Sequence, residues 1–200
     1  MNRTSDLATS VGTRICHDII SPLGAIGNGL ELLELTGVAG PEVDLILQSV
    51  ASASARLRAF RLAFGPSDLS QPVPREELAE ILEGYFAGER FGVDWQGARN
   101  LTRDEAKGAI LGLLCLETAL PHGGRLELES SDGIVLRGHG EATSRDAACW
   151  DLLSAGRDRA DHVAQPEPAQ IHFAMLGAHL DALRRTPKEA WGPEGISLAL

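Results

Sequence analysis

Four residue types that can do chemistry together stand within two helical turns: His17, Asp18, Ser21 and Pro22. An imidazole has an unperturbed pKa of about 6.5, so a neutral, nucleophilic ring is abundant near neutral pH. One ring nitrogen can attack phosphorus while the other keeps a proton. The resulting phosphoramidate lacks the stability of an ester and can pass its group on to a carboxylate. Asp18 either orients the ring or takes its proton. Ser21, one turn on, either holds the transferring oxygens or bonds back to the helix. An exposed histidine on an amphipathic helix is ordinarily just a surface residue. Pro22 argues otherwise, because a proline inside a helix costs about 3 kcal/mol relative to alanine and is expected to kink it next to the histidine.

The element that carries these residues is a long helix, expected from about Asp6 to Thr36 with Thr4 or Ser5 as its cap. At about 100° per residue, Ala8, Ile15, Ile19, Ile26, Leu30 and Leu33 fall opposite His17, with Leu23 at their margin. Arg14, Ser21, Gly24, Asn28 and Glu31 fall on the His17 side. The histidine is therefore expected on the middle of the polar face, pointing at solvent or a partner. Gly24, Gly27 and Gly29 would keep that helix surface low enough for another backbone to approach.

Gly37–Gly40 breaks the helix, and Pro41 can open a second one running to Phe64. So short a connection makes the pair an antiparallel hairpin. Phe60 and Phe64 would pack either on a second domain or only locally. Residues 1–65 form one expected domain, 66–73 a Pro- and Ser-rich linker, and 74–200 a second domain. The latter reads as a helix from Pro74, a strand at Phe91–Gln96 and a helix over Thr102–Ala119. A hairpin turning on Ser131-Asp132-Gly133, helices at Arg145–Ala155 and Pro168–Arg185, and a last strand in GISLAL complete it. The class is α+β, a helical hairpin followed by an α/β sandwich with a mostly antiparallel sheet.

Of the net charge of −10, −8 falls beyond residue 70, which argues against a nucleic-acid partner. No apolar run is long enough for a membrane helix and no signal peptide is evident, so the expected location is the cytoplasm, away from the membrane. Cys16, Cys115 and Cys149 match neither a disulfide framework nor zinc spacing. Cys16 and His17, as helix neighbours, diverge by about 100° and do not make a thiol–imidazole pair. His172 and His179 share a helix face at a spacing unsuited to metal, and His122 and His139 sit in turns without partners; no metal site is expected. Glu76, Glu77, Glu80 and Glu83 read as a solvated helix face, and the glycines of Gly138-His139-Gly140 are a weak signal.

The stretch His17-Asp18-Ile19-Ile20-Ser21-Pro22-Leu23 resembles the H-box of sensor histidine kinases. Extended to Leu33, HDIISPLGAIGNGLELL is more similar to the ChpT-like histidine phosphotransferases of alphaproteobacteria. That resemblance implies a homodimer whose two hairpins form a four-helix bundle. It also implies a second domain shaped like a degenerate histidine-kinase ATPase (Bergerat-type), and a part in cell-cycle regulation. His17 would accept a phosphoryl group from the receiver of a CckA-like hybrid histidine kinase. It would pass the group to receivers of CtrA-like and CpdR-like response regulators. Arg14, Gly24, Asn28 and Glu31 would form the receiver-docking face, with Asp18 and Ser21 in support. An ATP-using kinase of this type has magnesium-holding asparagines on a helix, a DxGxG turn and a Gly-rich lid. The corresponding positions here are Leu114 and Thr118, and the segments Gly138–Glu141 and Ser154–Gln165 supply neither turn nor lid. Leucine cannot ligate Mg²⁺. The expectation is a phosphotransferase with no ATP site and no cofactor of its own, the Mg²⁺ coming with the partner receiver. The alternatives are a divergent ATP-using kinase and a non-catalytic dimeric adaptor.

Overall fold

The structure is a computed structural model that describes residues 3–38, 40–65, 72–86, 88, 90–97, 99–141, 143–154, 167–193 and 195–200, with the side chains of 3–11, 13–17 and 154 left out. Helix α1 (Arg3–Leu35) runs through Pro22, and α2 (Pro41–Phe64) returns antiparallel beside it. Thr4 and Ser5 fall inside the first turn of α1 and do not cap it, which corrects the expected start. The reversal is a Schellman-type ending: the Val38 amide donates to Leu33 carbonyl and Gly37 takes a φ of +88°, a conformation that glycine adopts without strain. Pro41 then opens α2, where its missing N–H goes unneeded.

The second part contains α3 (Arg75–Tyr85), β1 (Phe91–Gln96), α4 (Arg103–Ala119), β2 (Gly124–Glu129), β3 (Val135–His139), α5 (Ala147–Ser154), α6 (Ile171–Ala182), β4 (Lys188–Gly192) and β5 (Gly195–Ala199). The expected helix from Pro168 opens instead as a 3₁₀ turn over Pro168–Gln170. Helix α4 starts at a capping box: the Thr102 hydroxyl accepts from Glu105 N–H and Glu105 carboxylate accepts from Thr102 N–H. Arg99 grips the same carboxylate with two nitrogens at 2.9 Å and holds its pKa down at about 2.

The strands form one sheet in the order β1-β2-β3-β5-β4, antiparallel except for the β1–β2 pair. Its inner face (Trp95, Leu126, Leu128, Leu136, Ile196, Leu198) is buried with the apolar side chains of α4 and α6. Trp150 of α5 is fixed between Phe173 and Trp191, at ring distances of 5.3 and 5.1 Å. The outer face is polar and carries ion pairs such as Arg125–Asp94 at 2.9 Å. Strand β4 was not foreseen; KEAWG offers one large apolar side chain, Trp191, on a short edge strand. The Gly123-Gly124 pair that leads into β2 takes φ values of +84° and +153°, and a Cβ at either would strike the carbonyl of Arg90 or of His139.

One apolar cluster runs from the hairpin into the sandwich. It joins Ala59, Leu62 and Ala63 of α2 to Leu78, Ile81 and Leu82 of α3 and to the α4 face. Phe60 and Phe64 pack against this cluster and 5.5 Å from each other, and Phe60 also meets Tyr85 at 6.1 Å. Small residues allow the close approach: a Cβ added at Gly84 of α3 would lie 2.6 Å from that of Ala55. At the end of α2, buried Lys107 donates from Nζ to the Gly65 carbonyl at 2.9 Å, which places a cation at the negative end of the helix. Gly84→Leu should therefore lower unfolding stability by about 1–3 kcal/mol, read as a shift of the urea midpoint; an unchanged midpoint would show that the contact is slack.

Candidate functional site

His17 lies in mid-helix on α1, and its side chain and that of Arg14 are outside the described set. The other residues of the expected site sit where the helical spacing puts them: Asp18, Ser21, Pro22, Gly24, Asn28 and Glu31 are all exposed. Gly24 and Gly29 have open space where a Cβ would be, which leaves the surface low as expected. Gly27 differs, because it packs toward α2 with Val50 Cγ1 3.5 Å from the Cβ position.

That contact defines how the hairpin is seated. The half-buried residues Ile20, Leu23, Gly27 and Leu30 of α1 face Val43, Leu47, Val50 and Ser54 of α2. The seam between the helices is thus centred about 80° from the middle of the expected apolar stripe. The stripe's own centre stays open: Ile19 is 44 %, Ile26 51 % and Leu33 45 % exposed. His17 lies about 100° from the seam in the other direction.

The same stepping along α2 tells its two sides apart. Leu62 and Ala55 lie about 90° and 110° to one side of the seam, and Ile46 about 70° to the other. Leu62 and Ala55 are buried, Ala55 against Gly84 of α3, while Ile46 is 46 % exposed. In an antiparallel pair the same sense of rotation leads to the same side. Ala59 and Ala63 lie farther round still, and Phe60 and Phe64 fall on the Ile46 side, so the sandwich is seated on the face of α2 turned away from α1, while the apolar stripe of α1 stays open. Gly27 meets Val50, and ten residues in each direction bring His17 level with Phe60, just where α2 enters the sandwich. Position in sequence gave no hint of this, since it depends on which face of α1 meets α2.

The positions compared with magnesium asparagines are occupied otherwise. Leu114 is buried, 6 % exposed. Thr118 donates its hydroxyl proton to the Leu114 carbonyl at 3.1 Å and lies 3.2 Å from His172 Nε2. With that proton committed, the hydroxyl oxygen accepts from His172, which fixes an Nε2–H neutral ring. Burial lowers the His172 pKa to about 4. Glu117 is half-buried between Arg56 and Arg90; burial raises its pKa and the two cations oppose this. Gly138 and His139 end strand β3 rather than forming the expected turn; His139 Nε2 lies 3.7 Å from Glu127 Oε2, and a Cβ at Gly138 would crowd Leu120 and Ile196. His179 is buried and hydrogen-bonded to the Asp104 carbonyl at 2.9 Å; His122 and His139 are exposed. Among the described residues no helix is long and apolar enough to cross a membrane. Of the lid candidate Ser154–Gln165, residues 155–165 lie outside the described ones.

The histidine phosphotransferase C-terminal domain is the family model that matches this chain, over residues 75–186. That is more than half of the chain and most of the sandwich, and the chain belongs to the histidine phosphotransferase family. A curated relative is protein phosphotransferase ChpT of Brucella abortus (strain 2308), 40% identical over 131 residues, which is 64% of this chain and 63% of the relative. The match thus spans less than two thirds of that relative's length. A solved bacterial phosphotransferase aligns with the whole chain and 96% of its own, at a TM-score of 0.66 and 25% identity, so the likeness takes in the hairpin as well as the sandwich. The histidine kinase domain of the blue-light-activated kinase EL346 from Erythrobacter litoralis aligns with 88% of this chain and 93% of its own, at a TM-score of 0.45 and 14% identity.

The buried His172 has a consequence for stability. Its folded pKa lies below the unfolded value of 6.5, so the unfolded chain binds the extra proton first. Its contribution is complete above about pH 6.5 and is lost as the pH falls toward about 4. His172→Gln, which keeps an N–H donor but cannot titrate, should flatten urea midpoints over this range; equal slopes for both chains would contradict the assignment.

Proposed function

We propose that this chain is a histidine phosphotransferase of a multistep phosphorelay and carries the phosphoryl group on His17. The observation that supports this most is the seating of the H-box-like segment. Its histidine stands in mid-helix among the exposed Asp18, Ser21, Gly24, Asn28 and Glu31, level with Phe60 where α2 enters the sandwich. The donor would be the phospho-aspartate of a hybrid histidine kinase's receiver, and the acceptors the receiver aspartates of response regulators. CckA-like, CtrA-like and CpdR-like proteins are the partners to try first.

In the accepting step, a lone pair on one imidazole nitrogen forms the N–P bond. The O–P bond of the acyl phosphate breaks, and its electron pair leaves on the receiver's aspartate. The other nitrogen keeps its proton, held or relayed by Asp18. The second step is the reverse, onto another receiver. Mg²⁺ in the receiver would neutralise the moving charge, and the hairpin contributes mainly position. Gly24, Asn28 and Glu31, exposed along the same face, and Arg14 form the docking surface in this reading. Pro22 and the open glycines let the receiver backbone come close.

The reading includes two further parts. The sandwich does not use ATP: a buried leucine and a threonine whose proton is committed to a carbonyl offer poor magnesium ligands. A second copy of the chain covers Ile19, Ile26, Leu33 and Ile46 to complete a four-helix bundle, since water-facing apolar residues in such a stripe call for more helices.

A transfer assay tests the core of this. Native chain mixed with a phosphorylated receiver should gain label, His17→Ala should gain none, and labelled ATP alone should label neither. Label in His17→Ala would remove His17 from its role. Self-labelling from ATP would make the chain a divergent kinase, and receiver binding with no transfer would make it an adaptor.

A further inference from the structure

Arg58 lies about 50° from the α1–α2 seam, on the side where His17 lies. It is level with residue 19 of α1, by the Gly27–Val50 match, so only about 3 Å of helix axis separates it from His17. Packed helices stand about 8–10 Å apart axis to axis, a gap that an extended arginine spans. On its other flank Arg58 reaches α3, where Nη1 is 3.8 Å from Glu80 Oε2, with the two side chains 37% and 70% exposed. A long ion pair that open to water holds its arginine weakly.

We propose that Arg58 is a positioning residue of the transfer site: it leaves Glu80 when a receiver docks and places its guanidinium on the phosphoryl oxygens as the group moves to or from His17. This rests on the phosphotransfer reading and adds to it a cation supplied by the second helix. The phosphoryl group bears about two negative charges, and the receiver presents further carboxylates. Glu31, on the His17 side of α1, and Asp18, next in sequence, add to that charge. A guanidinium fork matches phosphoryl oxygens in geometry, and a donor fixed where charge gathers lowers the barrier. Arg58 makes and breaks no covalent bond; the N–P and O–P exchange is as written above. Its seat at the edge of the sandwich, through Glu80, also gives the second domain a part in the transfer, since α3 sets where the side chain waits. The other charged residues near this level of α2 are less well placed. Arg56 turns away, with its guanidinium 5.0 Å over the Tyr85 ring. Arg61, which is exposed, leaves α2 along the seam line and not on the His17 side.

The experiment is rapid-quench transfer from a phosphorylated hybrid-kinase receiver to the full chain, as a function of receiver concentration. Arg58→Gln should lower the saturating rate at least about tenfold, leaving the half-saturating receiver concentration and the thermal midpoint unchanged. Arg58→Lys, which keeps a charge, should recover most of the rate. A native saturating rate in Arg58→Gln, an effect confined to half-saturation or to stability, or no recovery by lysine overturns the proposal. His17→Ala run alongside separates the two claims: label on that variant defeats the His17 reading itself, whatever Arg58 does.

Discussion

The C-terminal half of α2 is packed on two sides at once, and the rest of the structure depends on that. One side is the seam with α1. The other is filled by α3 and α4, which come close because Ala55, Ala59 and Ala63 recur every fourth residue and Gly84 faces the first of them. Apolar burial at this junction is reinforced by Lys107 on the carbonyl of Gly65, which caps α2. The hairpin and the sandwich are thereby tied through one helix and share one apolar cluster.

The same junction seats α4, the helix that carries Leu114 and Thr118. Leu114 is buried in the core, while the exposed Thr118 bonds back to the Leu114 carbonyl and meets His172 of α6, whose pKa burial lowers to about 4. The sheet keeps its buried inner face and its ion-paired outer face, and so continues to hold α3 and α4 against α2.

Much of this could be read from the residues alone. Pro41 and the glycines around it marked the hairpin, Thr102 and Glu105 marked the start of α4, and Ser131-Asp132-Gly133 marked the β2–β3 turn. Each is a local signal with a local cause. The polar face around His17 was legible for the same reason, since helical spacing alone determines it. What escaped depended on partners. Strand β4 is held by pairing with β5 rather than by its own pattern. The seam of the hairpin is turned from the centre of the apolar stripe because Gly27 lets α2 approach there. Arg58 drew no notice because its position relative to α1 depends on that seam.

The central claim is that the phosphoryl group travels as a phosphoramidate on His17. Its most direct test is to load the native chain from a phosphorylated receiver, digest it under alkaline conditions and locate the modified peptide by mass spectrometry, with ³¹P NMR of the intact chain. The account predicts a single alkali-stable, acid-labile N–P species on the peptide that contains His17. A modification on any other residue, or an alkali-labile acyl phosphate, would contradict it.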